Sequence, residues 1–294
     1  NFKELREELE KKNKNLKFAS FSDTEVLLQM YLNSERNFNS IKEILKKLNG
    51  IFAFAIFDKS NNNLFVVRDA MGVKPLYYLN DNGTYFFASE IKGIPKEIIF
   101  DKQNYNSKFK DNLDLFAVKN YLKYLYCPGE GTPLKNVRKV GPGEIHLIRN
   151  GSIIEKSNWA ELPAYSPCKN IHNKKYYINK TTEILRDSVH RQLISDVPVG
   201  AFLSGGLDSS SIVAFAKEKN PNISCFTIKT SSFDGFSDDY YYARKVSEFL
   251  NIPLEVIEPD ESSLVTDFEK MIIQLDEPIA DPAPLNVFYI SQLA

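Results

Sequence analysis

The sequence predicts two domains of different class, an α+β half followed by an α/β half built on a parallel sheet. Three observations carry this expectation. Between residues 52 and 88, short runs of Phe, Ile, Val and Tyr flank Asp58-Lys-Ser-Asn-Asn-Asn63 and Asn80-Asp-Asn-Gly83, the composition of hairpin loops. From about residue 176, strand-sized apolar runs alternate with helical runs of ten or more residues, the pattern of right-handed crossovers in a parallel sheet. One of those strands turns through Ser204-Gly-Gly-Leu-Asp-Ser-Ser210 straight into a helix.

Taken in order, residues 22–34 read as a helix. Ser22 or Asp23 can cap it, Glu25 supplies an early acid, and Val26, Leu27, Met30 and Tyr31 recur at helical spacing. A shorter helix at 40–48 is expected to end at Gly50. Phe52, Phe54 and Ile56 pair through a hairpin with Leu64 and Val66, and residues 77–79 pair with 85–88. Consecutive hairpins predict one antiparallel sheet accompanied by helices. A helix at 113–124, a loop at 128–133 and the turn Gly141-Pro-Gly143 lead into a strand at 144–149, closed by Asn150-Gly151. The expected division is residues 1–160, a linker at 161–175 around Pro163 and Pro167, and residues 176–294. In the second part helices at 176–193, 208–219, 239–250 and 262–275 alternate with strands at 197–203, 223–228 and 254–257.

Composition narrows the function. The chain has 294 residues, 43% of them hydrophobic, which is long for one domain. With 37 basic and 38 acidic residues the net charge is −1, so no nucleic-acid or anionic membrane partner is indicated. The longest apolar runs are strand-sized, far short of a membrane span. Cys127, Cys168 and Cys225 are odd in number and widely spaced, with no C-x-x-C pair, so neither a zinc site nor a disulfide framework is supported, and a reducing cytoplasm fits them. His146, His172 and His190 are scattered and suggest no catalytic triad. Asn1 carries no signal-peptide pattern, and the helical run at 288–294 has no cap, so both ends are expected to be cuts through a longer protein.

The Ser204–Ser210 loop has the chemistry of an anion site. A strand–turn–helix passage aims backbone N–H groups and the positive end of a helix dipole at a phosphate. Gly205 and Gly206 let the backbone come close, and Ser204 and Ser209 add hydroxyl donors. Asp208 would repel phosphate unless it held a Mg²⁺. The loop is no P-loop, since no lysine follows its glycines. Leu203 and Ile228 end two neighbouring strands at the carboxyl edge, where ligands bind in such folds. There they could sandwich an adenine, or they could be plain core.

The loop resembles the S-G-G-x-D-S loop of the ATP pyrophosphatases. With it go Ser22-Asp-Thr-Glu-Val-Leu-Leu28, Leu48-Asn-Gly-Ile-Phe-Ala-Phe-Ala-Ile-Phe-Asp58, Val67-Arg-Asp-Ala-Met-Gly-Val-Lys-Pro-Leu-Tyr-Tyr78, Phe87-Ala-Ser-Glu-Ile-Lys92 and Asp276-Glu-Pro-Ile-Ala-Asp-Pro282. Together, and in this order, they resemble the glutamine-hydrolysing asparagine synthetases. The resemblance implies an N-terminal-nucleophile glutaminase half and an ATP-pyrophosphatase half, both incomplete. It implies ATP and Mg²⁺, with glutamine and aspartate as substrates and a homodimer as an assembly to consider. The implied reaction adenylates the aspartate β-carboxylate, releases pyrophosphate, and lets ammonia freed from glutamine displace AMP.

The chain departs from that family in lacking the N-terminal nucleophilic cysteine, so no catalytic residue is visible. Asp23 alone matches a glutamine-site residue, and it can equally be a helix cap. Arg68, Asp69, Gly72 and Lys74 are expected to fix a turn through an ion pair, with Glu90 and Lys92 as structural or interface charges. Asp238 and Asp239 are expected to cap the following helix, whereas Asp276, Glu277 and Asp281 could line an acceptor pocket or mark a rigid turn. Three other readings stay open. An amidotransferase could act on a sugar or peptide carboxylate, and a paralogue could bind nucleotide without catalysis. An RNA-modifying pyrophosphatase finds little support in a chain without basic excess.

Overall fold

The computed structural model describes residues 1–100, 109–164, 173–230 and 239–294. The chain divides into two units, one of Asn1–Ala164 with Asp276–Ala280, the other of Tyr165–Leu275 with Asp281–Ala294.

The first unit opens with α1 (Phe2–Lys12), α2 (Asp23–Leu32) and α3 (Phe38–Leu45), followed by the hairpin β1 (Ala53–Asp58) and β2 (Asn63–Arg68). A second hairpin, β3 (Tyr77–Asp81) and β4 (Thr84–Ala88), precedes the short α4 (Lys96–Ile99) and α5 (Leu115–Tyr124). It closes with β5 (Val137–Lys139), β6 (Glu144–Arg149) and β7 (Ser152–Asn158). Both hairpins fall where the Asn-rich loops place them, with Asp58 opposite Asn63 and Asp81 opposite Thr84. They do not share one sheet, as their succession predicted. The first joins β6 and β7 in the order β1-β2-β6-β7, and the second joins β5 in the order β4-β3-β5.

Strand alternation explains the division. Phe65 and Val67 of β2 and Ile145 and Leu147 of β6 point to one face, packing on Val26, Met30, Tyr31, Ile41 and Leu45 from α2 and α3. Val66 and Ile148 point to the other face and meet Tyr78 and Phe87 of the second hairpin, along with Leu76 and Val140. Tyr77 and Leu79 then face Ile91, Ile94 and Ile99 on the far side of that second sheet. Both central strands are apolar on both faces, so they can lie only between other layers. The result is helix, sheet, sheet, helix. Each fully buried Phe, Ile or Leu in these layers contributes roughly 1.5–3 kcal/mol.

Local chemistry sets the helix limits. Ser22 accepts from Thr24 N–H at the start of α2. Asn37 and Ser40 form a reciprocal capping box that starts α3 two residues earlier than expected. That helix ends at Lys46 rather than Gly50, because Lys47 N–H and Leu48 N–H tighten onto Ile44 and Leu45 carbonyls. Four elements of this unit are additional to the sequence reading, namely α1, the one-turn α4, β5 and β7. The first is dense in charge and buries Leu5, β5 is three residues long, and β7 is largely exposed.

The second unit contains α6 (Lys174–Gln192), β8 (Gly200–Phe202), α7 (Leu207–Lys219), β9 (Ser224–Ile228), α8 (Asp239–Leu250), β10 (Leu254–Ile257), α9 (Leu264–Gln274) and α10 (Ala283–Leu293). Its strands are parallel in the order β10-β9-β8, so the alternation of strands and helices gives the expected parallel sheet. Val189, Val213, Ala216 and Ala243 from α6, α7 and α8 close over Leu203, Ile223 and Cys225. Of the expected linker, residues 165–172 lie outside the described residues, as do Cys168, His172 and Asp238.

One buried charge cluster sits between the two sheets of the first unit. Glu144 accepts from Gly141 N–H at 2.8 Å, meets His146 Nε2 at 3.2 Å and pairs with Lys156 at 3.2 Å. Burial opposes ionisation of Glu144, yet His146, Gly141 N–H and Lys156 outweigh it and hold the carboxyl down at about 2. A carboxyl depressed on folding stabilises above its unfolded value near 4.5 and loses that contribution as pH falls toward 2. Glu144→Gln is therefore expected to cost up to about 3 kcal/mol at neutral pH. In urea titrations of both proteins the gap should close as pH drops through that window. A gap independent of pH would contradict the assignment.

Candidate functional site

The loop between β8 and α7 is built by close backbone packing. Leu203 N–H bonds Phe226 O at 2.9 Å and finishes the pairing of the two strands. Gly205 then takes φ +76°, and any Cβ there would collide with the backbone of Tyr242 and Ala243 in α8. Only glycine meets both conditions. Gly206 is the N-cap of α7 and brings no capping side chain, so the first turn of that helix opens toward the loop uncapped. Ser204 Oγ and Ser209 Oγ lie 3.0 Å apart across it, and Gly206 N–H reaches Ser204 Oγ at 3.4 Å. Ser210 Oγ is buried without a hydrogen-bond partner among the described residues.

Asp208 stands exposed in the first turn of α7, with no salt bridge among the described residues. Those residues hold no cluster of three metal-ligating side chains. A Mg²⁺ here would thus take one protein carboxylate, with phosphate oxygens and water completing its octahedron, a donor set this ion accepts.

The expected adenine sandwich is corrected by the strand register. Ala201 pairs with Cys225 and Phe202 with Phe226, so Leu203 shares a face with Cys225 while Ile228 shares the opposite face with Phe226. Leu203 is 1% exposed inside the helix-covered core. Its side chain cannot flank a ring together with Ile228, which leaves Leu203 its main chain and Ile228 its side chain. Two open grooves of about 520 and 460 Å³ lie at the other end of this sheet, along Pro198, Val199 and Asn220, and the loop lines neither.

In the first unit, the cap role falls to Ser22, and the carboxylate of Asp23 stays exposed beside the hydroxyls of Ser22 and Thr24. Glu25 accepts from Ala19 N–H at 2.7 Å and from Ser20 N–H and Oγ at 2.6 Å, fixing the approach to α2. The Ser20 hydroxyl first, then Ala19 N–H, hold its carboxyl below the usual range.

Arg68 and Asp69 fix their turn as expected, but not as an ion pair with one another. Arg68 donates to the carbonyls of Gly72, Lys74 and Val140, and Asp69 accepts from Met71, Val73 and Lys74 N–H groups. Gly72 turns at φ +64° where a Cβ would stand 2.9 Å from Pro142. Glu90 and Lys92 form an exposed pair at 3.4 Å, of small energetic weight.

Asp276 and Glu277 take up the structural alternative. Asp276 accepts from Ile91 N–H at 3.0 Å, and Glu277 is held by Tyr77 OH at 3.0 Å and Lys139 Nζ at 2.9 Å. Asp281 accepts from Ala283 N–H at the start of α10. Lys139 and Tyr77 carried no signal in the sequence, because the Lys139–Glu277 partners are 138 positions apart.

Residues 1–159 match the family model of the glutamine amidotransferase domain, and residues 180–294 match that of asparagine synthase. The chain is 35% identical over 300 residues to glutamine-hydrolyzing asparagine synthetase 1 of Bacillus subtilis (strain 168), across 100% of the chain and 43% of that protein. It is 30% identical over 312 residues to synthetase 2 of the same organism, across 100% of the chain and 38% of that protein. The chain thus spans less than half the length of these two relatives. Among solved structures, the B. subtilis glutamine phosphoribosylpyrophosphate amidotransferase covers 90% of the chain and 47% of itself at 15% identity, with a TM-score of 0.34. The chain belongs to the glutamine amidotransferase domain family through residues 1–159, and behind that domain its residues 180–294 match the asparagine synthase model.

Proposed function

We propose that this chain contributes the amidotransferase fold and the ATP loop of an enzyme that amidates aspartate to asparagine, with glutamine as nitrogen donor. The observation that carries the reading is the uncapped start of α7, held open by Gly205 against α8 within a chain that matches both family models.

In this reading Ser204, Gly205, Gly206 and Ser209 hold the phosphates of ATP through N–H groups, hydroxyls and the helix dipole. The Leu203 main chain and the Ile228 side chain border the adenine, and Asp208 holds Mg²⁺. Mg²⁺, when bound, neutralises charge on the departing pyrophosphate. The aspartate β-carboxylate attacks the α-phosphorus, the bond to pyrophosphate breaks, and the carboxyl gains AMP as a leaving group. Ammonia then adds at the acyl carbon and expels AMP. Asp23 would receive the α-ammonium of glutamine, which its exposed carboxylate suits. The nitrogen-releasing nucleophile is not assigned to any residue of this chain. The reading includes a cytoplasmic enzyme of small molecules, with a homodimer as its assembly and no nucleic-acid or membrane partner. Near-neutral charge offers no electrostatic footprint for nucleic acid or an anionic membrane surface.

Two outcomes test it. Asp208→Asn is expected to weaken Mg²⁺–ATP binding at least about tenfold in calorimetric titration, with thermal stability unchanged because the side chain is exposed and has no salt bridge among the described residues. Equal affinity would remove Asp208 from the site. The full-length gene product, given ammonia, ATP and aspartate as sole acceptor, is expected to form AMP and asparagine in equal amounts. AMP formation that requires a different carboxylic acid would replace aspartate with another acceptor while keeping the activation chemistry.

A further inference from the structure

Residues 276–280 follow α9 and precede α10, both in the unit that carries the nucleotide loop, yet they are part of the amidotransferase unit. Their attachment is more elaborate than a connection between helices requires. Glu277 and Lys139 keep only 15% and 14% of their side chains exposed, and Lys139 Nζ also bonds Cys127 O at 2.6 Å. Tyr77 OH completes the carboxylate's shell from a residue that is 6% exposed. One turn away, Ala280 N–H bonds Leu125 O at 2.9 Å. Leu125 ends α5 at φ +69°, a left-handed conformation costly for a residue with a side chain. Such a conformation persists only where surrounding contacts dictate it, and the carbonyl it presents is the one that takes up Ala280.

A helix-to-helix connection is ordinarily exposed and tolerant of change. This one is fastened at Asp276, Glu277 and Ala280 by a half-buried ion pair and three hydrogen bonds. We propose that Glu277 is a positioning residue for nitrogen transfer: its pair with Lys139 fixes residues 276–280 on the amidotransferase fold and thereby keeps ammonia release matched to its use by the synthetase chemistry. The inference rests on the function proposed above. Glu277 touches no reacting atom in it. Each glutamine hydrolysed yields one ammonia, and each ammonia added to the acyl-adenylate yields one amide and one AMP, so mismatch is countable as glutamate in excess of amide.

The test uses the full-length gene product and measures glutamate, amide and AMP together. Glu277→Gln and Lys139→Met are expected to raise the glutamate-to-amide ratio about fivefold or more, the lower range of measured site coupling. Glutamine hydrolysis and ammonia-dependent AMP formation should persist, which also serves as the control for folding. The charge-exchanged variant Lys139→Glu with Glu277→Lys should bring the ratio back toward that of the unaltered enzyme. An unchanged ratio with full activities would overturn the proposal, and so would a parallel fall of all three activities, which marks a packing role alone. Absence of AMP from the unaltered enzyme with ammonia as donor would instead overturn the function on which the proposal rests, and the proposal with it.

Discussion

The absence of a side chain at position 205 governs the loop between β8 and α7. The backbone of α8 at Tyr242 and Ala243 occupies the space a Cβ would need, and the chain turns there at φ +76°. That close approach lets β8 end at Phe202 and α7 begin at Leu207 with only four residues between them. So short a passage leaves the first N–H groups of α7 without a side-chain cap and facing the loop. The open first turn of α7 is therefore a consequence of how tightly two helices and a strand pack, and the serines at 204 and 209 border it with hydroxyls 3.0 Å apart.

The first unit obeys a different constraint. Its two central strands are apolar on both faces, and each face needs its own cover. The strictness of strand alternation distributes Phe65 and Val67 to the helical side and Val66 to the second sheet, which produces four layers without any further instruction. Polar groups caught between the sheets then turn to one another, as Glu144 does with His146 Nε2 and Lys156, while His146 Nδ1 stays without a hydrogen-bond partner among the described residues. Arg68 and Asp69 solve a similar problem at the turn after β2, where charged side chains serve backbone carbonyls and N–H groups instead of each other.

What could be read from the sequence was whatever local chemistry writes down. The Asn-rich hairpin loops, the Ser22 cap and the Ser204–Ser210 loop all lie within a few residues of the structure they specify. The separation of the hairpins into two sheets was not legible, because the second neighbour of β2 is β6, from residue 144 onward. The N-terminal helix α1 escaped notice since eight of its eleven residues are charged and it buries only Leu5. The adenine sandwich failed by one residue of register, enough to send Leu203 and Ile228 to opposite faces. The fastening of residues 276–280 depends on Lys139, Tyr77 and Leu125, each remote in the sequence from the segment it holds.

The central claim is that the open start of α7 receives a nucleotide. Amide chemical shifts recorded while Mg²⁺–ATP is titrated into the isotope-labelled chain test it most directly. The account predicts saturable shifts concentrated at Gly205, Gly206, Leu207, Asp208 and Ser209, with smaller ones at Leu203 and Ile228. Shifts confined to the grooves near Pro198 and Asn220, or none at concentrations that saturate related nucleotide sites, would contradict it.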